Sequence, residues 1–470
     1  SNLAGAAATP QLTENTELDA ELKTQFGRRY SAASNESIEK PEKGFKFKLG
    51  FNAVVGVKYA RDKGKDMGSE FGFAGLPAYD GGSPIDEIFN CGSALADDTD
   101  SATPEDAYMQ IVRDTFEYEF LAYCRKLESE GFTAVYDRGN SAGLYRQYER
   151  CGRLVYTYYI YAERTTRIIS EGRTCTVVEF SGGGENTLGD TALMQFSLYY
   201  SDMIHGTTCD CGMMYVLRLR NNELIIVDGG EYEQSTEEAV NEFMERIHAL
   251  TGTPRGGRIT IAAWYCTHDH NDHMDFFSKL IRFHSDELEL KRVMFNLPSA
   301  RLQPHSDPCT ARMRSRISKA YPNVKFLKLH TGQRFTLGNA AVEVLVTHED
   351  ILPRHLAEGM YYDGVNETST ILKIEFEGQS ILFLADAIDT VGEIFHERFG
   401  GVGLECTYLQ AAHHCINKVE DIYNFVKAET ILIPQCRYIA ESRHYDNYRL
   451  ICDCYGAEKT FFAGDCTRIC

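Results

Sequence analysis

The segment "WYCTHDHNDHMD", residues 264–275, concentrates side chains that bind metal ions. His268 and His270 are two residues apart, so in an extended segment both imidazoles point to the same side. Asp272 and His273 follow at the start of a predicted helix, where the change of direction aims them at a neighbouring point. Imidazole nitrogens combined with carboxylate oxygens suit zinc, and also iron or manganese. The spacing therefore predicts ligands for two divalent ions.

Further candidate ligands follow apolar strands elsewhere in the chain. Asp386 ends "SILFLADA", His413 and His414 end "LQAAHH", and His348 ends "VEVLVTH". A carboxylate buried at a strand end is costly unless it is compensated, and bridging two cations compensates it. Asp228, after the strand "ELIIV", suits the outer nitrogen of a ligand histidine. Each residue taken alone could instead be a polar strand-end residue in a turn, and for His348 this alternative stays open.

The elements that must position these residues lie in residues 176–470. Strand-like runs such as "MMYVLRLR", "ELIIVDGG", "RITIAAWYCT" and "ETILIPQ" alternate there with helical patterns such as "STEEAVNEFMERIHAL" and "MDFFSKLIRFH". Strands that pair as hairpins and are covered by helices predict a layered sandwich of sheets and helices.

The chain before this part divides into two segments. Residues 1–45 are polar and predict an extension. Residues 46–175 predict a separate α+β module, with a helix over residues 101–132 capped by Thr103 and Pro104. Alternating strands follow at "FTAVYD", "GLYRQYER" and "RLVYTYYIYAERTTRIISE". The tyrosine-rich strands could form an interface or a lid, or simply a sheet with aromatic faces.

Composition restricts the class of partner. The 48 basic and 68 acidic residues give a net charge of −20, which argues against nucleic acid as a partner. The sequence contains no run of about 18 apolar residues, so it predicts no membrane-spanning helix. The 15 cysteines, several in predicted core strands, favour the reducing cytoplasm. The opening "SNLAGAAATPQ" leaves a secreted protein with a trimmed export signal as the alternative.

The order of these strand ends resembles the metallo-β-lactamase superfamily over roughly residues 180–470. The shared order is Asp, T-H-x-H-x-D-H, a strand-end His, an Asp and a final His. "GVNETSTILKIEFEGQSILFLADA" followed by "YLQAAHHC" is similar to the DNA-uptake (competence) proteins and phosphorylcholine esterases of that superfamily. The resemblance implies the α+β class, as a four-layer αββα sandwich that here carries the N-terminal α+β module.

The resemblance also implies roles for individual residues. His268, His270 and His348 would bind one ion; Asp272, His273 and His413 would bind the other, with Asp386 bridging. His414 would then either support a ligand from outside the metal sites or face the substrate. Asn366, Ser369 and His444 would match further polar positions of the branch. Cys415 and Ile416 depart from the Gly-Ser that usually follows His-His, which leaves the substrate contacts open.

The predicted function is a binuclear metal-dependent hydrolase, with zinc as the favoured metal. A metal-bridging hydroxide would attack a phosphodiester or phosphorylcholine-type ester of a small-molecule substrate. The predicted catalytic residues are Asp272, Asp386, His414 and His444.

Three other functions remain open. A metal-dependent nuclease would use the basic residues Arg312, Arg314, Arg316 and Lys319 on phosphates. A diiron oxidoreductase and a catalytically silent binding scaffold are the other two. The oligomeric state is not predicted.

Overall fold

The computed structural model describes residues 73–90, 108–171, 190–196, 212–230, 237–298, 302, 310–351, 362, 364–417 and 419–463. These residues form two compact units. The second unit contains the described residues from Asp190 onward, apart from a few within 298–307 and 351–365 that belong to the first. The domain boundaries predicted after residues 45 and 175 lie outside the described residues.

The first unit is a six-stranded antiparallel sheet with one helix packed on it. The strands lie in the order β1-β2-β6-β5-β4-β3. Its elements are β1 (Ser83–Asn90), β2 (Tyr108–Arg113), α1 (Glu117–Ser129), β3 (Thr133–Gly139), β4 (Gly143–Arg150), β5 (Arg153–Ile160) and β6 (Thr165–Ser170). The apolar face of α1, with Phe120 and Leu127, joins Tyr148 and Val155 of the sheet in one buried cluster. The α+β module predicted from the sequence is present.

The helix predicted over residues 101–132 is wrong in its first half. The helix begins only at Glu117, and Tyr108–Arg113 is a strand that lies between β1 and β6. Aromatic and β-branched residues favour a strand, and pairing on both edges outweighs the helical spacing of the apolar positions. The predicted cap, Thr103 and Pro104, lies outside the described residues.

The second unit contains two seven-stranded mixed sheets. The first sheet has the order β13-β12-β10-β9-β8-β7, with β11 beside β10, and the second runs from β14 to β20 in sequence order. The strands of the first sheet are β7 (Ala192–Gln195), β8 (Tyr215–Arg218), β9 (Leu224–Val227), β10 (Ile259–Cys266), β11 (Leu288–Leu290), β12 (Arg292–Phe295) and β13 (Lys325–Lys328). Those of the second are β14 (Arg334–Leu337), β15 (Ala340–Val346), β16 (Ile371–Phe376), β17 (Gln379–Phe383), β18 (Leu404–Gln410), β19 (Val426–Ile433) and β20 (Thr460–Phe462).

Helices flank these sheets. They are α2 (Glu237–Thr251), α3 (Asn271–His284), α4 (Thr310–Ala320), α5 (Asp389–Phe399), α6 (Glu420–Phe425), α7 (Arg437–Ser442) and α8 (Tyr445–Tyr455). None of the helices that the structure describes has the length and apolar character needed to cross a bilayer.

The two sheets of the second unit pack face to face. Their inner side chains form one buried core, in which the rings of Tyr215 and Phe383 lie 5.1 Å apart. Helix α3 covers the outer face of the first sheet, where Phe277 stacks on Trp264 at 4.0 Å. Helices α5 and α8 lie against the second sheet, on β15 and β19 respectively. The predicted four-layer αββα sandwich is therefore confirmed.

Candidate metal centre

Parallel strand pairs bring the predicted ligands to one edge of each sheet. Strand β9 runs parallel to β10, so Asp228 and the histidine segment that starts at His268 leave their strands side by side. Strand β17 runs parallel to β18, with Phe383 opposite Gln410, so Asp386 and the His-His turn also emerge together. Ligands separated by more than a hundred residues along the chain thus become neighbours.

Two groups of ligand-type atoms result, each with its atoms within 4.8 Å of one another. One group is Asp272, His273, Asp386 and His414, and the other is His268, His270 and Asp386. Asp386 is fully buried and belongs to both groups. A cluster of this composition can hold a metal ion, and the two groups together are called the centre.

The closest contacts lie in the first group. His273 Nε2 is 3.1 Å from Asp386 Oδ1, and His414 Nε2 is 3.1 Å from Asp272 Oδ2. The two Nε2 atoms are 3.2 Å apart. In the second group, His268 Nε2 lies 3.7 Å from Asp386 Oδ2. Asp386 therefore directs its two carboxylate oxygens to different histidines.

Asp228 orients two of these imidazoles. The Thr267 N–H and hydroxyl both donate to its carboxylate, each at 2.8 Å. His273 Nδ1 lies 2.7 Å from the same carboxylate, so Nδ1 carries a proton and donates it. The Thr267 hydroxyl proton is already committed to Asp228, so its oxygen accepts from His268 Nδ1 at 3.0 Å. His268 and His273 therefore both present Nε2 to the centre. The sequence predicted that Asp228 bonds the outer nitrogen of a histidine, and His273 is that histidine.

A glycine allows α3 to approach this strand end. The Gly229 carbonyl accepts a hydrogen bond from the Phe277 N–H at 2.8 Å. A Cβ atom at Gly229 would lie 2.4 Å from the Phe277 Cβ, which no side chain could tolerate. The absent side chain thus lets the first turn of α3, with Asp272 and His273, lie against the end of β9.

The His-His turn has an unusual backbone. His413, His414 and Cys415 all have left-handed φ values, of 45°, 49° and 66°. Only glycine adopts this region readily, so three such residues in a row mark a strained turn of the kind found at functional sites. The turn brings both histidines to Asp386, with His414 Nε2 3.6 Å from Oδ1 and His413 Nε2 3.6 Å from Oδ2.

His414 and His413 differ in their surroundings. The His414 side chain is 1% exposed, and its Nδ1 lies 3.1 Å from the Pro434 carbonyl, so Nδ1 donates and Nε2 faces the centre. The His413 side chain is 19% exposed, and its Nε2 lies 3.1 Å from Asn366 Nδ2. The sequence predicted His413 as the ligand, whereas the groups of ligand-type atoms contain His414. Which of the two histidines binds metal stays a prediction.

The charges of the cluster balance one another. Burial lowers the pKa of His268 well below its usual value. Burial also opposes charge on His273, but Asp386 and Asp272 outweigh it and raise the His273 pKa well above its usual value. The histidine charges hold the pKa of Asp272 and Asp386 well below the usual range in spite of burial. A proton on His273 therefore compensates part of the carboxylate charge, and a divalent cation would replace that proton.

The residues present fit a metal ion. His268 Nε2 is buried and makes no hydrogen bond, although its ring is oriented by Thr267. Two nitrogens bound to one tetrahedral zinc ion at roughly 2.0–2.1 Å lie about 3.3 Å apart. The 3.2 Å between His273 Nε2 and His414 Nε2 agrees with that separation.

Three predicted site residues belong to neither group: His413, described above, His348 and His444. His348 follows β15 and is fully buried. His444 is half-buried at the start of α8. Among the described residues, the groups of ligand-type atoms include neither histidine. Their predicted roles as ligand and as catalytic residue stay predictions.

Sequence reasoning missed two residues that support the centre, Thr267 and Gln410. Thr267 links His268 to Asp228, and Gln410 bonds the backbone beside Asp386. Gln410 carried one signal, a polar residue at the end of the otherwise apolar run "TYLQAA".

No family model matches this sequence, and no curated protein matches it. Among solved structures, it is similar to CmlA, a diiron β-hydroxylase from Streptomyces venezuelae, with 14% identity and a TM-score of 0.31, over 58% of this chain and 44% of that one. Zn²⁺-bound PqqB from Methylobacterium extorquens shares 12% identity with a TM-score of 0.30, over 47% of this chain and 72% of that one.

A third similar structure is a metallo-β-lactamase from Cronobacter sakazakii, with 13% identity and a TM-score of 0.26, over 52% of this chain and 87% of that one. The chain spans less than half the length of the β-hydroxylase. The competence-protein branch stays a prediction.

Proposed function

We propose that this protein is a binuclear metal-dependent hydrolase whose two ions share Asp386. One observation carries the proposal: two groups of buried ligand-type atoms meet at the same carboxylate. Two positive ions compensate a buried carboxylate that contacts histidines on both sides.

The ligand set follows from the contacts. One ion would be held by His268, His270 and Asp386, and the other by the four residues Asp272, His273, Asp386 and His414. His414 takes the place that the sequence gave to His413, because it is buried and its Nε2 lies within the first group. His413, partly exposed and held by Asn366, is the histidine placed to contact a substrate.

When bound, two such ions would supply an activated water nucleophile near neutral pH and charge compensation for the oxyanion of hydrolysis. The side chains of this chain hold and orient the ions. Asp386 contributes an oxygen to each group, while Asp228 keeps a proton on Nδ1 of His273. Burial of His268, His273 and Asp386 keeps bulk water away from the ligands.

We propose phosphodiesters or phosphorylcholine-type esters as the substrate class, with zinc as the favoured metal. A nucleic-acid substrate is less well supported. The chain carries a net charge of −20, and Arg316 of the basic helix α4 donates to Ser278 within the fold, at 2.8 Å. Of the other basic residues predicted there, the side chain of Arg312 lies outside the described residues.

The test compares metal content and activity in four proteins: the wild type, Asp272→Ala/His273→Ala, His414→Ala and His413→Ala. Bound metals are counted by mass spectrometry after reconstitution, and hydrolysis is assayed on bis-(p-nitrophenyl) phosphate and p-nitrophenyl phosphorylcholine. We expect about two ions per wild-type chain, loss of metal in the first two variants, and retention in His413→Ala.

Different results would point to the alternatives. Fewer than one ion per wild-type chain would overturn the catalytic assignment and leave a binding scaffold. Bound iron with redox-active spectra would favour an oxidoreductase. A steep salt dependence of DNA binding would favour a nuclease.

A further inference from the structure

We propose that Gln410 is a positioning residue of the metal centre, whose side-chain amide fixes the turn of Asp386 against the His-His turn. This inference rests on the proposed function, since it assigns a residue to the same centre.

Gln410 is the last residue of β18 and is fully buried. Its Oε1 accepts from the Leu384 N–H at 2.8 Å and from the Ala385 N–H at 2.7 Å. Its Nε2 donates to the carbonyls of Ala385, at 3.1 Å, and of Ala411, at 2.5 Å. These four bonds use two acceptor sites and both donors of the amide, so the side chain has a single orientation.

The Gln410 side-chain amide supplies hydrogen bonds just beyond the point where the strand pairing ends. The pairing of β17 with β18 stops at Phe383 opposite Gln410. Beyond this point the two chains diverge into the turns that carry Asp386 and the two histidines. The Gln410 side chain bonds the next two residues of the Asp386 turn, Leu384 and Ala385, as backbone partners would in a longer ladder.

Ala385 is the residue where the two turns meet. Its φ is 51°, a left-handed conformation that is unfavourable for a residue with a Cβ atom. Its carbonyl accepts from both Gln410 Nε2, at 3.1 Å, and the His413 N–H, at 2.9 Å. The strained backbone beside Asp386 is therefore held in place by Gln410 and by the His-His turn together.

The consequence for the centre is geometric. Asp386 must keep its oxygens within reach of His268 and His273 on the first sheet, at the 3.7 Å and 3.1 Å seen here. Without the Gln410 amide, Ala385 can relax to a right-handed conformation, and Asp386 then turns away from those histidines. A fold that only needed a buried amide for stability would show no such link to metal affinity.

The test compares Gln410→Met with Gln333→Met. Gln333 is a buried glutamine of the same unit whose Oε1 accepts the His330 N–H at 2.8 Å, and it belongs to neither ligand group in the described structure. Zn²⁺ affinity is measured by competition with a chromophoric chelator. The Co²⁺-loaded protein supplies a visible absorption spectrum that reports ligand geometry. Thermal unfolding is followed in the metal-free proteins.

We expect Gln410→Met to bind Zn²⁺ about 10–100-fold more weakly, with an altered Co²⁺ spectrum. Gln333→Met should keep the wild-type affinity and spectrum, although both variants unfold a few degrees earlier. Should Gln410→Met fail to fold, the same measurements are made on Gln410→Glu, for which a smaller loss of affinity is expected because only the bonds to the Ala385 and Ala411 carbonyls are lost.

Wild-type affinity and spectrum in the Gln410 variant would overturn this inference while leaving the proposed function intact. A wild-type protein that binds no Zn²⁺ or Co²⁺ would overturn both.

Discussion

The second unit buries two polar clusters that balance their charges in different ways. In the ion-paired cluster, Lys328 Nζ lies 2.9 Å from Glu349 Oε1, and His330 Nδ1 lies 2.7 Å from Glu349 Oε2. Arg398 Nη2 lies 2.9 Å from Asp350 Oδ1. Each of these carboxylates therefore has a lysine or arginine as a permanent partner.

The candidate metal centre neutralises its carboxylates in a different way. The ion pairs of its described residues join aspartates to histidines, whose charge depends on a bound proton. A lysine or arginine would occupy the space and fix the charge. Histidines can instead give up protons to an incoming cation. The comparison teaches that this fold neutralises some buried carboxylates with its own lysine and arginine, whereas at the candidate centre an external ion could take over that role.

The strongest test of this difference is Asp386→Asn, which keeps the shape of the side chain and removes its charge. We expect bound metal to fall from two ions to one or fewer, because both groups lose their shared ligand. Hydrolysis should drop roughly 1000-fold or more, since several kcal/mol of metal-derived stabilisation is lost. Metal analysis and rate measurements on the same sample check this, and full metal content in the variant would contradict it.

The converse change is Glu349→Gln in the ion-paired cluster. It leaves Lys328 buried without its charge partner, so the free energy of unfolding should fall by about 3–5 kcal/mol. Metal content should stay at the wild-type level. Denaturant unfolding in the presence of a chelator measures the first quantity, and the double variant Lys328→Met/Glu349→Gln should recover most of the loss. Loss of metal without loss of stability would show that the two clusters are not distinct.

A smaller effect is expected for Asp228→Asn. The amide can present its N–H to His273, which would then carry its proton on Nε2, the atom that faces the centre. Metal affinity should decrease about 10–100-fold without complete loss. Chelator competition measures the affinity, with the exposed Asp421→Asn as the control. Equal affinities in the two variants would remove Asp228 from the support of the centre.

The effect that is smallest at neutral pH concerns His348, whose pKa burial lowers to about 3. In the unfolded chain its pKa is about 6.5, so the unfolded state binds the extra proton between these values. Stability from this residue is therefore complete above about pH 6.5 and decreases as the pH falls, by about 1.4 kcal/mol per pH unit.

His348→Asn should flatten that dependence in metal-free protein between pH 6 and pH 4, as followed by denaturant unfolding. Parallel curves for wild type and variant would contradict the assignment. The metal content of the variant is measured on the same sample. Loss of metal would place His348 in the candidate metal centre, and wild-type metal content would place it outside.

The sequence predicts best those side chains of the candidate site whose directions depend on neighbouring residues alone. The segment from His268 to His273 is short, and its two-residue spacing and helix start fix the directions of its side chains. The choice between His413 and His414 depends on three left-handed residues in a row, which no residue type indicates. Which residues bind metal is still a prediction.

The same distinction applies to the fold. The strands beside the centre were predicted because buried parallel strands are continuous apolar runs. Strand β2 was predicted as helix because its apolar spacing suits both structures, and its pairing with β1 and β6 decides between them. Gln410 acts on a turn formed by residues 384–385, a partnership that only the folded chain reveals.

The shared position of Asp386 has a further consequence for how the chain comes apart. The ligands before it follow β10 of the first sheet, whereas Asp386 and His414 follow strands of the second. A bound ion therefore closes a loop of more than a hundred residues, as a cross-link would, and removes conformational freedom from the unfolded chain. Metal loading should then slow unfolding and proteolytic cleavage, so that the proposed ions would also stabilise the packing of the two sheets of the sandwich against each other.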